Sequence, residues 1–317
     1  MKEMIIDMHA HLGDILYPQG GNLIHQKGVR KRFIFDPNAI SEFFDHRFSD
    51  EVGPPDGWLY RQIKKAGIAA NAIGTLENFK ISMAQAGINF SVALPIPPNL
   101  TFQDLKPISD ADEEVISFTG VDFTREYDVQ AALDRDVRNG ARGLKLHPIL
   151  QRVKLTDNKI HNAIEAFAPH DLPVLLHTGV FYYYLLPGDK KHEKPEYGAI
   201  HYVRELVAAF PGVKFIMGHA GLTETQAVKE TLAGFDNVWI ETSSKGVAAI
   251  KDLINIFGSD KILFGSDWPW GNRKPALRII RHACKGNKKN ERKILFQNGA
   301  DLLKLEFGEH GNIKEEI

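Results

Sequence analysis

Met4-Ile5-Ile6-Asp7-Met8-His9-Ala10-His11-Leu12-Gly13 is the stretch from which the fold is read. A short apolar run ends in His-x-His, and Gly13-Asp14 then breaks the pattern. In a strand, residues two apart share a face, so His9 and His11 project together. Two neutral imidazoles on one face can grip a single first-row metal, with Zn–N bonds of about 2.0–2.1 Å. Such a pair also has an ordinary reading, on a surface or as a satisfied core pair. What the later strands carry at their ends decides between the two.

Composition sets the bounds. The chain has 317 residues, 43% of them hydrophobic, enough for one large core. Net charge is −1, with Lys and Arg spread along the chain, so no nucleic-acid or acidic-membrane partner is expected. Cys284 is the sole cysteine, which excludes an intrachain disulfide and a Cys-rich zinc site. The chain opens directly on its first predicted strand, leaving no room for a signal peptide, and no apolar run nears the ~20 residues that span a bilayer. The expectation is a soluble cytoplasmic protein.

In the insertion, residues 14–75, the stretch to about Gly57 shows no clean period; it mixes Gly20-Gly21, a basic run from Lys27 to Arg32, Phe33, Phe35 and Pro54-Pro55. Insertions of this length in compact domains tend to be functional lids. One or two short helices are expected there, including Asn38–Arg47. Beyond it the pattern is regular. Helices are read at Leu76–Ala86, Asp128–Arg138, around Ile160 and Phe167, around Ile200 and Phe210, at Glu224–Leu232 and at Val247–Phe257. Strands are read at Ile88–Leu94, Val115–Val121, Gly143–Leu146, Pro173–Leu176, Val213–Met217, Val238–Ile240 and Lys261–Phe264. The strands are short and apolar with little alternation, as in a parallel sheet covered on both faces. With the first strand they make eight, each alternating with helix, which predicts an α/β fold: a (β/α)8 TIM barrel in one domain spanning 1–317, with a long insertion after strand one. A doubly wound open sheet is the alternative, disfavoured because no Gly-rich phosphate turn follows the first strand.

In a barrel of this kind the chemistry lies at the C-terminal strand ends. Strand one ends in His9 and His11, and strand four carries Lys145 and His147 on one face. Strands five and six end in His177 and His219, strand seven carries Glu241, and strand eight runs into Phe264-Gly265-Ser266-Asp267-Trp268-Pro269. Each alone has an ordinary explanation: a buried His satisfying backbone groups, a cap at Asp267, a structural Glu241. Their recurrence at one end of successive strands points to a metal site. Such a site suits metal-assisted hydrolysis, in which an ion with one open position lowers the pKa of water to about 7 and a carboxylate such as Asp267 moves the proton. A nearby histidine would polarise the substrate carbonyl or steady an oxyanion.

The segments Asp7-Met8-His9-Ala10-His11, Gly143-Leu-Lys-Leu-His-Pro, Leu176-His-Thr-Gly, Gly218-His-Ala-Gly and Phe264-Gly-Ser-Asp-Trp-Pro resemble the amidohydrolase superfamily. They look most like its amidohydrolase-related branch, which holds metal-dependent hydrolases and decarboxylases of the aminocarboxymuconate-semialdehyde type. Asn298-Gly-Ala-Asp-Leu-Leu is similar to that branch's closing helix. The resemblance runs from strand one to this helix, apart from the insertion. It implies that His9, His11, His177 and Asp267 hold one metal, expected to be Zn2+, with Asp267 also catalytic and His219 a catalytic imidazole. It leaves Lys145 two roles: a catalytic one in contact with substrate beside His147, or, carbamylated, joining His177 and His219 in a second metal site. One metal is favoured. It implies a small-molecule substrate and admits a homodimer.

The insertion and Phe181-Tyr-Tyr-Tyr-Leu-Leu-Pro-Gly-Asp follow metal-bearing strands, where substrate-selecting loops sit. Tyr182 and Trp268, with His147, are the expected substrate contacts, although rim packing explains Tyr182–Tyr184 equally well. Arg30, Arg32 and Trp58 could bind a carboxylate or a ring, and nothing singles them out. Hydrolysis of an amide, lactone or ester is the expected activity. Non-oxidative decarboxylation of a small unsaturated or aromatic acid is the alternative on the same ligands. A metal-dependent nuclease shares strand one but needs a Glu ending strand three, where this chain has Phe118-Thr-Gly-Val-Asp. A non-catalytic barrel would be expected to have lost ligands.

Overall fold

Strand β1 (Ile6–Ala10) is buried along its whole length, and every later strand packs parallel to a neighbour. The computed structural model describes residues 3–32, 34–46, 57–185, 187–308 and 313. After β1 come β2 (Phe90–Ala93), β3 (Val115–Ser117), β4 (Thr119–Gly120), β5 (Leu144–Leu146), β6 (Val174–His177), β7 (Phe215–Gly218), β8 (Val238–Glu241) and β9 (Ile262–Leu263). They form two runs, β1-β2-β3 and β4 through β9 in chain order. Only Phe118 separates β3 from β4, so the expected continuous strand 115–121 is one barrel stave interrupted at a single residue. Its amide bonds the Ala93 carbonyl at 3.2 Å, keeping it in the β2 ladder. At the other seam the Met8 amide bonds the Phe264 carbonyl at 2.9 Å, and Ala10 bridges Trp268 in parallel. These bonds join the last strand to the first, and the sheet is a barrel.

Helices alternate with the strands because the sequence starts and stops them locally. Thr75 accepts the Asn78 amide and opens the helix Leu76–Ala86, which Gly87 ends at φ 71°. Asp128 caps Val129–Arg138 in the same way. Residues 14–75 differ from expectation. They hold a short turn of helix at Gly20–Leu23, the helix Pro37–Phe43 capped by Asp36, and a 14-residue helix, Trp58–Asn71. The last buries Tyr60, Ile63, Ala66 and Ala70 on one face. Phe33, Arg47 and Pro54-Pro55 lie outside the described residues.

One irregularity positions the site. Pairing between β1 and β2 advances from Asp7–Ser91 to Ala10–Ala93, three residues against two, so β1 carries a bulge. Asp7 accordingly bonds Ser266 and Arg273, whereas His9, two residues on, bonds Glu241. A regular strand would have sent both to one face.

Candidate metal centre

Asp267 lies at the middle of the strand-end cluster. Its Oδ1 is 3.7 Å from His9 Nε2 and 3.6 Å from His11 Nε2, and its Oδ2 is 3.9 Å from His219 Nδ1. Ligand atoms of His9, His219 and Asp267 all fall within 4.8 Å of one another. The His177 ring lies 5.0 Å from that of His219 and stacks at 4.0 Å on His147.

Outer partners fix which nitrogen of each ring is free. Glu241 is fully buried, and four donors converge on it: His9 Nδ1 at 2.7 Å, the His219 amide at 3.0 Å, Ser243 Oγ at 2.8 Å and the Ser243 amide. Burial pushes its carboxyl up to about 7, yet donors on every side hold it as an acceptor. Gly265 makes room for it, since a Cβ there would stand 2.1 Å from Oε1. His9 therefore donates from Nδ1 and offers a lone pair at Nε2, which is buried without a hydrogen-bond partner. His11 donates from Nδ1 to the Leu94 carbonyl at 3.1 Å, freeing its Nε2 likewise. Ser243 spends its hydroxyl proton on Glu241, so His219 Nδ1 must donate to Ser243 Oγ, 2.7 Å away, and its Nε2 too is left with a lone pair. His177 is hydrogen-bonded to the backbone of Gly179.

Burial first, and neighbouring cationic groups second, hold His9, His177 and His219 well below the usual imidazole range, and His11 at about 3. The rings are neutral at pH 7, as ligation requires. The orphaned buried Nε2 of His9, the lone pair on His11 Nε2 and the Asp267 carboxylate beside both fit a divalent cation, each imidazole oriented by a partner behind it. The set suits zinc or manganese better than calcium, which takes oxygen ligands.

Lys145 lies deeper: its Nζ is buried with no hydrogen-bond partner, and burial brings it down to about 7 against the pull of Asp267 and Glu241. The cavity at the cluster, about 90 Å3, is lined by His11, His147, His177, His219 and Asp267 and also by Ile15, Asn38, Tyr60, Ile63, Phe181, Tyr183 and Trp270. His147 is thus on the wall, but Tyr182 and Trp268 are not. Tyr182 packs on Tyr60, and Trp268 is 5% exposed, edge-on to Phe79. Their places on the wall go to Tyr183 and Trp270, which sequence reasoning missed. Arg30, Arg32 and Trp58 are exposed and away from the lining.

Among the described residues, four of the ten non-glycine residues at positive φ line this cavity: His219, Leu222, Ser244 and Asp267. Each costs about 1–3 kcal/mol and persists only where its surroundings over-determine it. Buried Lys245 does this for the His219 turn, bonding the Leu222 carbonyl at 2.6 Å and Thr225 Oγ.

The amidohydrolase family profile matches residues 6–305, and the chain belongs to that family. No curated protein sequence matches the chain. Solved structures share its fold at low identity. The 2,6-dihydroxybenzoate decarboxylase from Rhizobium is 15% identical with a TM-score of 0.62, covering 95% of this chain and 99% of that one. A 5-carboxyvanillate decarboxylase from Novosphingobium aromaticivorans, solved with bound manganese, is 14% identical with a TM-score of 0.62, over 96% and 98%. A probable 2-pyrone-4,6-dicarboxylic acid hydrolase from Acinetobacter baumannii is 15% identical with a TM-score of 0.55, over 95% and 99%. The family is one of metal-dependent enzymes acting on small molecules, decarboxylases and hydrolases among them. Among the described residues, no helix is long and apolar enough to cross a membrane.

Proposed function

We propose that this protein is a metal-dependent hydrolase acting on a small carbonyl compound with an apolar or aromatic body. The observation that carries the reading is Asp267: a carboxylate within 3.6–3.9 Å of three imidazoles, in a cavity that Tyr60, Ile63, Phe181 and Trp270 also line. In this reading His9, His11, His177 and Asp267 hold one Zn2+. A bound divalent ion supplies Lewis acidity and brings the pKa of water towards about 7. Asp267 takes the proton of the attacking water and passes it to the leaving group. His219, its Nδ1 committed to Ser243, can accept a proton at Nε2 but cannot donate one from there at rest, so a donor to the substrate oxygen has to come from another residue. Residues 14–75 act as a lid, supplying Ile15, Asn38, Tyr60 and Ile63 to the wall.

Decarboxylation is the second reading, and one feature favours it. No lysine or arginine appears among the described lining residues, so a carboxylate held there would gain by leaving as neutral CO2. The test is turnover of zinc- and manganese-loaded protein on aryl esters, lactones, anilides and hydroxybenzoates, with acid release and CO2 followed separately. Hydrolysis predicts acid without CO2; CO2 alone moves the assignment to decarboxylase.

Metal removal gives a second check. Barrel strands and covering helices bury ample apolar area without the ion. A chelator should abolish turnover and leave the far-UV circular dichroism nearly unchanged. Global unfolding on chelation would make the ion structural and remove it from the chemistry.

A further inference from the structure

Hydrogen-bond directions around His147 single out Tyr183. The backbone N–H of Leu150 points at His147 Nδ1, 3.2 Å away. An amide can only donate, so Nδ1 is an acceptor and carries no proton. The ring's proton is then on Nε2, aimed at the Tyr183 hydroxyl oxygen 3.0 Å away. That oxygen is an acceptor in this contact, so its own proton must be directed elsewhere. The other ring close to it is His177, at 3.4 Å to Nδ1 and 3.5 Å to Nε2. An oxygen almost equidistant from both nitrogens lies in line with neither lone pair, and both distances are at the limit of a hydrogen bond. The remaining direction is the cavity, which Tyr183 lines.

The ring is held for this. Main-chain amides of Tyr183 and Tyr184 both donate to Glu193, the second at 3.2 Å. Phe181 meets the ring edge-on at 4.9 Å and Trp270 at 5.7 Å.

We propose that the Tyr183 hydroxyl is the hydrogen-bond donor to the substrate oxygen on which negative charge develops during turnover. No proton leaves the tyrosine; the O–H dipole, oriented in advance by His147, meets the charge as it forms. The inference rests on the cavity being the catalytic site, but not on hydrolysis over decarboxylation. In the first case the charged oxygen is that of a tetrahedral adduct, in the second that of a ring phenolate.

Tyr183→Phe removes only the hydroxyl. On whichever reaction the metal-loaded protein supports, kcat should fall by about 10²–10³-fold while KM moves little and metal per chain is unchanged. A calorimetric arm needs no turnover: zinc-loaded Tyr183→Phe should bind benzylphosphonate, a fixed oxyanion, about 10- to 150-fold more weakly than the unmodified protein, the loss of a hydrogen bond to a charged group. Tyr127→Phe, which loses a hydroxyl that accepts the Asp122 amide at 3.0 Å outside the cavity lining, should leave both readings within threefold. A Tyr183→Phe protein with unchanged kcat or unchanged benzylphosphonate affinity overturns the proposal, as does a loss of metal. If the unmodified protein turns over none of the substrates, the functional reading fails while the calorimetric arm still judges Tyr183.

Discussion

Arg273→Met is expected to lower the stability of the metal-free protein by about 3–5 kcal/mol, the range for breaking a buried ion pair from one side. Arg273 is 1% exposed and Asp7 is fully buried. The guanidinium donates to Asp7 Oδ2 at 2.9 Å, to the Phe79 carbonyl at 2.9 Å and to Ser91 Oγ at 2.8 Å, and its face lies 4.2 Å from the Phe79 ring centroid. Methionine fills much of the volume but leaves the Asp7 carboxylate with only the Ser266 hydroxyl at 2.6 Å and two backbone amides. The loss should appear in urea unfolding as a lower midpoint at nearly constant slope. Asp7→Asn with Arg273→Met should cost less than the sum of the single changes, because the double variant buries no unpaired charge. A loss under about 1 kcal/mol for Arg273→Met would show that the pair contributes little. The damage should reach the site: Asp7 and Ser266 adjoin the bulge and turn that carry His9 and Asp267, so metal affinity should fall as well.

This pair also shows where the sequence was silent. Asp7 stood in the quoted opening motif, yet nothing local named its partner 266 residues away, and alternation in β1 would have placed it beside His9. The bulge that separates them depends on pairing with β2 and has no signature in ten residues of sequence. Where local rules govern, the reading was sharp: Leu76–Ala86 and Val247–Phe257 are helices with those bounds, set by a cap, a glycine and a 3.6-residue period. Trp58–Asn71 was hidden because its buried positions include small and polar residues, Lys64, Gly67 and Asn71 among them, that blur a 3.6-residue apolar period, and Pro54-Pro55 before it read as loop. Arg273–Ala283 escaped for another reason: its buried face includes the arginine itself.

Site residues followed the same division. Strand ends were legible as a cluster because a (β/α)8 barrel fixes what they face; the expected ligand set was His9, His11, His177 and Asp267, whereas the imidazoles within 4 Å of the Asp267 carboxylate are those of His9, His11 and His219, with the His177 ring 5.0 Å from that of His219. Wall residues were not. In the irregular stretch after β6 no period says which of three successive tyrosines turns inward, and a packed inner ring at Trp268 puts Trp270 on the wall. Glu241 looked structural as a lone strand acid. Its role follows from the Gly265 cradle and from His9 and Ser243, contacts that only assembly brings together.

His219→Asn and His177→Asn should part company in metal content, and this comparison has the largest consequence for the assignment. Both rings border the cavity, both are neutral, and their centroids are 5.0 Å apart. We assign His177 to the metal and His219 to proton transfer. His177→Asn should then lose most of the bound zinc, since a site with one ligand fewer holds the ion less tightly. His219→Asn should keep about the metal of the unmodified protein and lose turnover by about 10²–10⁴-fold, the usual cost of a general acid or base. The competing arrangement is concrete. Ligand atoms of His219 stand within 4.8 Å of those of His9 and Asp267, and the orphaned Lys145 Nζ is buried and feels the charges of Asp267 and Glu241, so a second ion held by carbamylated Lys145 and His219 would raise the unmodified protein to two metals per chain. Elemental analysis of the three proteins purified side by side separates the cases. One metal, kept in His219→Asn and lost in His177→Asn, fits the assignment. Two metals falling towards one in His219→Asn would replace it with a binuclear site, and one metal lost with His219 but kept without His177 would exchange their roles.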